Sequence, residues 1–130
     1  MTTPFLCVLI AFLLIYAPKL PIGVASARRP GGYDNKNPRR QQAELEGLGA
    51  RAVAAHANGF EAFPAFAAAV IISHLTVGHD YRTSVLCIAF VVARALYIAA
   101  YLADQDYLRT ALWGVGFLCT IVLFCLPMLG

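Results

Sequence analysis

The chain has 130 residues, of which 60% are hydrophobic and only 13% charged, whereas a soluble domain averages about 45–50% apolar and about 25% charged. That balance excludes an ordinary soluble enzyme or binding module and describes a membrane protein of one domain. The net charge of +3 does not describe a nucleic-acid-binding protein either. Five of the ten basic residues, Arg28, Arg29, Lys36, Arg39 and Arg40, crowd into one loop, as at a membrane flank rather than along a DNA-reading face.

A membrane-crossing helix needs about 20 mostly apolar residues. The first such run covers 3–27 and is punctuated by Pro18, Lys19 and Pro21. Its core FLCVLIAFLLIYA followed by VASA also has the look of a signal peptide cleaved after Ala27. A signal peptide, however, has a charged segment ahead of its apolar core, and no Lys or Arg precedes this one, so the run is read as a span. Further spans are expected over about 48–77, 83–102 and 108–129, with a long polar loop at 28–47. PGGYDNKNPRR within that loop is turn chemistry. The other two connections, around 78–82 and 104–107, are short enough to force neighbouring helices antiparallel.

Orientation follows from the basic residues. The first loop carries five, the second only Arg82, and the third none before Arg109. Lys and Arg concentrate on the cytoplasmic side, so loops one and three are expected there and both termini outside. The protein is then a multi-pass membrane protein, of the cytoplasmic membrane if the source is bacterial. With that orientation the strongly polar residues of the spans gather at the cytoplasmic end: Arg51, Asn58 and Glu61 in the second, Arg94, Tyr97 and Tyr101 in the third, Arg28 and Arg29 closing the first, and Arg109 opening the fourth.

Facing matters as much as depth. At 100° per residue Arg51, Asn58 and Glu61 fall within an arc of roughly 80°, and Arg94, Tyr97 and Tyr101 within roughly 60°. Two such stripes on antiparallel neighbours can face one cavity. An arginine or carboxylate at the bilayer centre costs about 2.5–3.5 kcal/mol even on gentle scales, so each needs a partner. Three arrangements meet that need: an internal ion-pair network of Glu61 with Arg94 or Arg51, a polar site for a charged small molecule, or a proton-coupled exporter built on Glu61. Arg28, Arg29, Arg51, Arg94 and Arg109 outnumber Glu61, which favours an anionic ligand, because guanidinium forks match carboxylates and phosphates. Glu61 is left over for an ammonium group.

These residues also resemble a known family. RAVAAHANGFEAFPAF, with Arg51, Asn58 seven residues on, Glu61 three further, then Phe63-Pro64-Ala65-Phe66, resembles the second-helix signature of the MAPEG family, the membrane-associated proteins of eicosanoid and glutathione metabolism. ARALYIAAYLADQDYLRT, with Arg94, Tyr97, Tyr101, Arg109 and Thr110, is similar to its third-helix motif and to the arginine that starts the fourth helix. VASARR, with Arg28 and Arg29, is a weaker match to a basic pair ending the first helix.

The resemblance, to a small microbial-type member, implies an all-α, integral membrane four-helix bundle protomer. It further implies a homotrimer with glutathione as cosubstrate at subunit interfaces near the cytoplasmic leaflet. By position, Arg51, Asn58, Glu61, Arg94, Tyr97, Tyr101 and Arg109 would bind glutathione, with Glu61 on its amine. Arg29, Thr110 and Tyr97 would be the catalytic candidates nearest the sulfur. The implied activity is a glutathione transferase or peroxidase acting on lipophilic small molecules. A non-catalytic glutathione- or lipid-binding membrane protein is the alternative, followed by the exporter.

The chain departs from the family pattern in three places. The position three residues after Arg51, an arginine in the eicosanoid enzymes, is Ala54. The position after Glu61, a tyrosine in some relatives, is Ala62. The first loop is also long. The smaller residues turn the expectation away from eicosanoids and toward small electrophiles or lipid hydroperoxides.

The remaining chemistry is plain. Cys7, Cys87, Cys119 and Cys125 lie in apolar runs without a CxxC or zinc-ligand spacing, and read as buried, reduced thiols. His56, His74 and His79 read as packing or surface residues, so no metal site is expected. Pro64 predicts a kink in the second span. Gly114 and Gly116 predict close helix contact, and Trp113 an interfacial anchor rather than core.

Overall fold

The computed structural model describes residues 1–130 and is all-helical. Its elements are α1 (Thr3–Tyr16), α2 (Lys19–Ala27), α3 (Pro38–Ala43), α4 (Leu48–Val77), α5 (Tyr81–Leu102) and α6 (Asp106–Cys125), followed by a 3₁₀ turn at Leu126–Met128. Four stretches are long and apolar enough to cross a membrane: Thr3–Ala27, Leu48–Val77, Tyr81–Leu102 and Asp106–Met128. The third and fourth begin two residues earlier than the apolar runs alone indicate. Asp80 caps α5 by accepting from the Arg82 amide at 2.7 Å, and the acidic Asp106 opens α6, where the helix dipole favours a negative charge. Hydrogen bonds from Arg82 hold the Asp80 carboxyl below its usual range, so this cap stays charged until the pH falls well into the acid.

The first span is two helices, divided at Ala17-Pro18. Proline has no amide hydrogen to continue the ladder. Near the break the Ile15 carbonyl accepts from His56 Nδ1 of α4 at 2.6 Å. A carbonyl can only accept, so Nδ1 carries the proton and His56 ties α1 to α4. In contrast, α4 runs unbroken through Pro64.

The polar loop is not irregular throughout. It contains α3, and Gln41, only 8% exposed, organises the chain before it. Gln41 donates to the Gly32 carbonyl and accepts from the Asp34 amide, while Asp34 Oδ1 takes the amides of Lys36 and Asn37.

The core lies where α1, α4, α5 and α6 meet, around Cys7, Ala11, Phe66, Val70, Phe90 and Leu123. Phe66 and Phe90 stack at 3.7 Å with an interplanar angle of 5°. All four cysteines are free thiols, and Cys7, Cys87 and Cys119 are buried. Small residues allow the helices to close. A Cβ on Gly59 would stand 3.2 Å from the Ile15 Cα, and one on Gly116 would stand 3.6 Å from the Phe90 ring, whereas Gly114 faces open space. Gly116 therefore packs on Phe90 at ordinary van der Waals distance, with room for a methyl group, and Gly114 makes no close contact within the protomer. Large apolar side chains such as Leu13, Leu75 and Leu118 are more than half exposed, as suits a chain whose solvent is lipid.

Candidate functional site

Helix α4 brings Asn58 and Glu61 to one face, three residues apart. Asn58 Nδ2 donates to Glu61 Oε2 at 3.3 Å. The other Asn58 polar atom, Oδ1, is buried without any partner. Across from them, α5 presents Arg94, which is only 5% exposed yet makes no side-chain hydrogen bond and no ion pair. A buried, unpaired cation is costly. Its guanidinium carbon lies 4.2 Å from the Tyr97 ring centroid, a contact that offsets only part of that cost.

The three ion pairs in the protomer are Arg29–Glu44, Arg40–Glu44 and Arg82–Asp80. None involves Glu61, Arg51 or Arg94, so the internal ion-pair network is not how the spans satisfy their charges.

Glu61 and Arg94 stand at one side of a cleft of about 190 Å³ whose α4 and α5 walls are Ala62, Ala65 and Phe90. The α6 wall is Trp113, Gly116, Phe117 and Thr120. Trp113, expected as an interfacial anchor, thus also lines the cleft. It stacks on Phe117 at 5.1 Å and 9°. Trp113 stands seven residues into α6, about 10 Å along the axis, and is 42% exposed. A signal for this wall exists in the sequence. Residues 113, 116, 117 and 120 are spaced i, i+3, i+4, i+7, which is one face of a helix.

The other predicted residues fall into three places. Arg94, Tyr97, Tyr101 and Arg109 form a continuous stack. Tyr97 meets Tyr101 edge-on at 5.7 Å, and the Arg109 guanidinium carbon lies 4.4 Å from the Tyr101 centroid. Both arginines thus rest on tyrosine faces, and neither makes an ion pair. Arg51 is engaged differently. Its Nε and Nη2 both donate to the Leu102 carbonyl at 3.3 Å. A cation there satisfies a free carbonyl at the C-terminus of α5 and meets the negative end of its dipole.

Arg29 and Thr110 are not brought to the cleft. Arg29 Nη2 donates to Glu44 Oε2 at 3.1 Å on the polar loop, and Arg29 does not line the space beside Glu61 and Arg94. The Thr110 hydroxyl donates to the Asp106 carbonyl one turn back. His74 and His79 pack edge-to-face at the opposite end, with Phe5 against His74.

The protomer thus offers a buried, unpaired cation and a carboxylate on one cleft, with the orphaned amide oxygen of Asn58 beside Glu61 and a second cation, Arg109, at the far end of the tyrosine stack. That set complements a molecule carrying carboxylates, an amine and an N–H donor. The sequence model of the MAPEG family matches residues 3–129. No curated protein and no solved structure matches the chain.

Proposed function

The chain belongs to the MAPEG family, and from that premise we propose that it binds glutathione at the Glu61–Arg94 cleft and uses the thiol on small or lipophilic electrophiles or hydroperoxides. The observation that carries this reading is Arg94, buried to 5% exposure with no anion of its own. Glutathione has two carboxylates for Arg94 and Arg109, an ammonium group for Glu61, and amide N–H groups for the unpartnered Asn58 Oδ1. Tyr97 and Tyr101 support both guanidinium groups from below. Arg51, already on the Leu102 carbonyl, acts here by holding α4 against α5.

The thiol must ionise to react. A free thiol of pKa about 8.5 is only a few per cent thiolate at neutral pH, and a nearby cation lowers that value. Arg29 is the proposed cation. Within a protomer it rests on Glu44, away from the cleft; in the homotrimer that the family resemblance implies, it would serve the sulfur held by a neighbouring copy. Tyr97 and Arg109 are the alternative donors within the protomer, whereas the Thr110 hydroxyl already donates to the Asp106 carbonyl.

The same Arg29–Glu44 contact favours a second reading, a membrane protein that binds glutathione without activating it. Binding without turnover of a generic aromatic electrophile would decide for it.

Glu61→Gln tests the cradle. It should weaken glutathione binding, measured by calorimetry on the detergent-solubilised protein, while the protein stays folded. Binding that survives, with loss only of a flux driven by a pH gradient, would replace this reading with a proton-coupled exporter.

The cleft is proposed to lie toward the cytoplasm, with both termini outside, because the loop at 28–47 holds half of the basic residues. Asn35→Cys and His79→Cys, in a background without native thiols, should label from opposite sides of the membrane; Asp80 is left in place because it caps α5. Labelling of both from one side would sink that topology.

A further inference from the structure

The loop at 28–47 is charged, yet it is built rather than loose. Gln41 and Asp34 fix its backbone through four hydrogen bonds, and the folded loop encloses an open cavity of about 680 Å³. Three cations line it, Arg29, Lys36 and Arg40, against two carboxylates, Asp34 and Glu44. Both carboxylates are engaged. Asp34 Oδ1 accepts from the Lys36 and Asn37 amides, and Glu44 is shared by Arg29 at 3.1 Å and Arg40 at 3.8 Å. Lys36 makes no ion pair, and Arg40 has only the longer contact to a carboxylate that Arg29 already holds.

The backbone around the same cavity adds donors. The Gly31, Tyr33 and Asn35 amides make no hydrogen bond within the chain. Gly31 and Gly32 have φ of +83° and +77°, and a Cβ on either would meet nothing within 4 Å, so a ligand can come close to the chain there. The place of the cavity is fixed by the spans. Ala27 ends the first and Leu48 begins the second, so both ends of the loop are held at one membrane surface, at the level of lipid headgroups. Tyr33, which lines the cavity and is half exposed, is a residue type that this layer favours.

We infer that this cavity binds the phosphate of an anionic phospholipid, with Lys36 and Arg40 on its oxygens and the free loop amides completing the set. A guanidinium meets phosphate with a two-pronged fork and an ammonium group meets it as a point charge. Basic pockets beside membrane spans take anionic headgroups in this way, and the bilayer itself keeps the phosphate at the mouth of the cavity. Drawing Arg40 away from Glu44 costs little, because an exposed ion pair is weak. Arg29 stays on Glu44 and is not one of the phosphate ligands. A headgroup without a cation is preferred, since Asp34 and Glu44 already have partners and leave little for the ammonium of a zwitterionic lipid. The cavity shares no lining residue with the Glu61–Arg94 cleft, so the site does not depend on the glutathione reading.

Native mass spectrometry of the full chain in detergent, titrated with phosphatidylglycerol, should show saturable lipid binding. Phosphatidylcholine with the same acyl chains should bind more weakly. Lys36→Gln and Arg40→Gln should each weaken phosphatidylglycerol binding about tenfold, the factor of one lost charge-assisted contact. Arg39→Gln removes the same charge from the same loop, at an exposed position outside the cavity, and should leave the affinity unchanged. All three side chains are exposed, so each variant should fold as wild type does. Equal losses in Arg39→Gln and Arg40→Gln would reduce the effect to diffuse attraction by a basic loop and overturn the site, as would equal binding of the two lipids. Glycerol phosphate, which is soluble, should not displace the lipid at equal concentration; displacement would give the site to a soluble phosphate ester instead. A second copy seated over the cavity would appear as an oligomer that takes up no phosphatidylglycerol, and that result also overturns the lipid site.

Discussion

Arg94→Ala should weaken glutathione binding about 10- to 150-fold, the factor that corresponds to one lost charge-assisted contact of about 1.5–3 kcal/mol. The arginine is buried and unpaired in the free protein, so its field is poorly screened and its donors are unspent. The same burial makes a second outcome expected. Arg94→Met keeps most of the side-chain volume and removes a buried charge, so the ligand-free protein should be no less stable than wild type. What it should lose is the rise in Tm that glutathione confers, since a ligand that no longer binds the native state cannot stabilise it. Arg94→Lys should recover little of the affinity if the carboxylate sits in a two-pronged fork, because an ammonium group is a point charge. Calorimetric affinities and Tm with and without glutathione check all three. Unchanged affinity in Arg94→Ala would remove this residue from the cradle.

Arg29→Ala should act on the sulfur rather than on affinity. Lowering a thiol pKa from about 8.5 to about 6.5 needs about 2.7 kcal/mol of preference for the thiolate, which one close guanidinium in a dry site can supply. Without it the thiolate fraction at pH 7 falls roughly 20-fold, and turnover at saturating glutathione falls with it. The sign is testable. The thiolate is the deprotonated form, so the deficit should shrink as the pH rises through 8.5 toward 9.5. Arg29→Lys should restore part of the activity, because one positive charge is what the thiolate requires. Glu44→Gln removes the carboxylate now 3.1 Å from Arg29 and should push the thiol pKa the other way, downward. Thiolate absorbance against pH measures each directly. An unchanged value in Arg29→Ala would leave the sulfur to Tyr97 and Arg109.

Most of the architecture was legible before any coordinates. Four apolar runs and two short connections allow little besides four antiparallel crossings, because a lipid-facing chain must satisfy its backbone within each helix. The spacing of Arg94, Tyr97 and Tyr101 correctly put them on one face, and the structure extends that face through Arg109. Asn58 and Glu61 likewise came out as neighbours. The first span was the exception. Pro18 was visible, yet nothing local in the sequence shows that His56, 41 residues away, donates to the Ile15 carbonyl beside the break.

By itself the sequence determined the class, the number of crossings and the helical face of each polar residue, since hydropathy and helical periodicity are local properties of the chain. Only the tertiary structure decided which partner each polar group takes. Arg51 shares a stripe with Glu61 but reaches the Leu102 carbonyl, and Arg29 sits in a basic loop but rests on Glu44. Trp113, Gly116, Phe117 and Thr120 lie on one face of α6, yet only the packing of that face against Ala65 and Phe90 turns it into a cleft. Periodicity says which way a side chain points. What stands there is set by helices distant in sequence, and an electrostatic or packing contact falls off within a few ångströms.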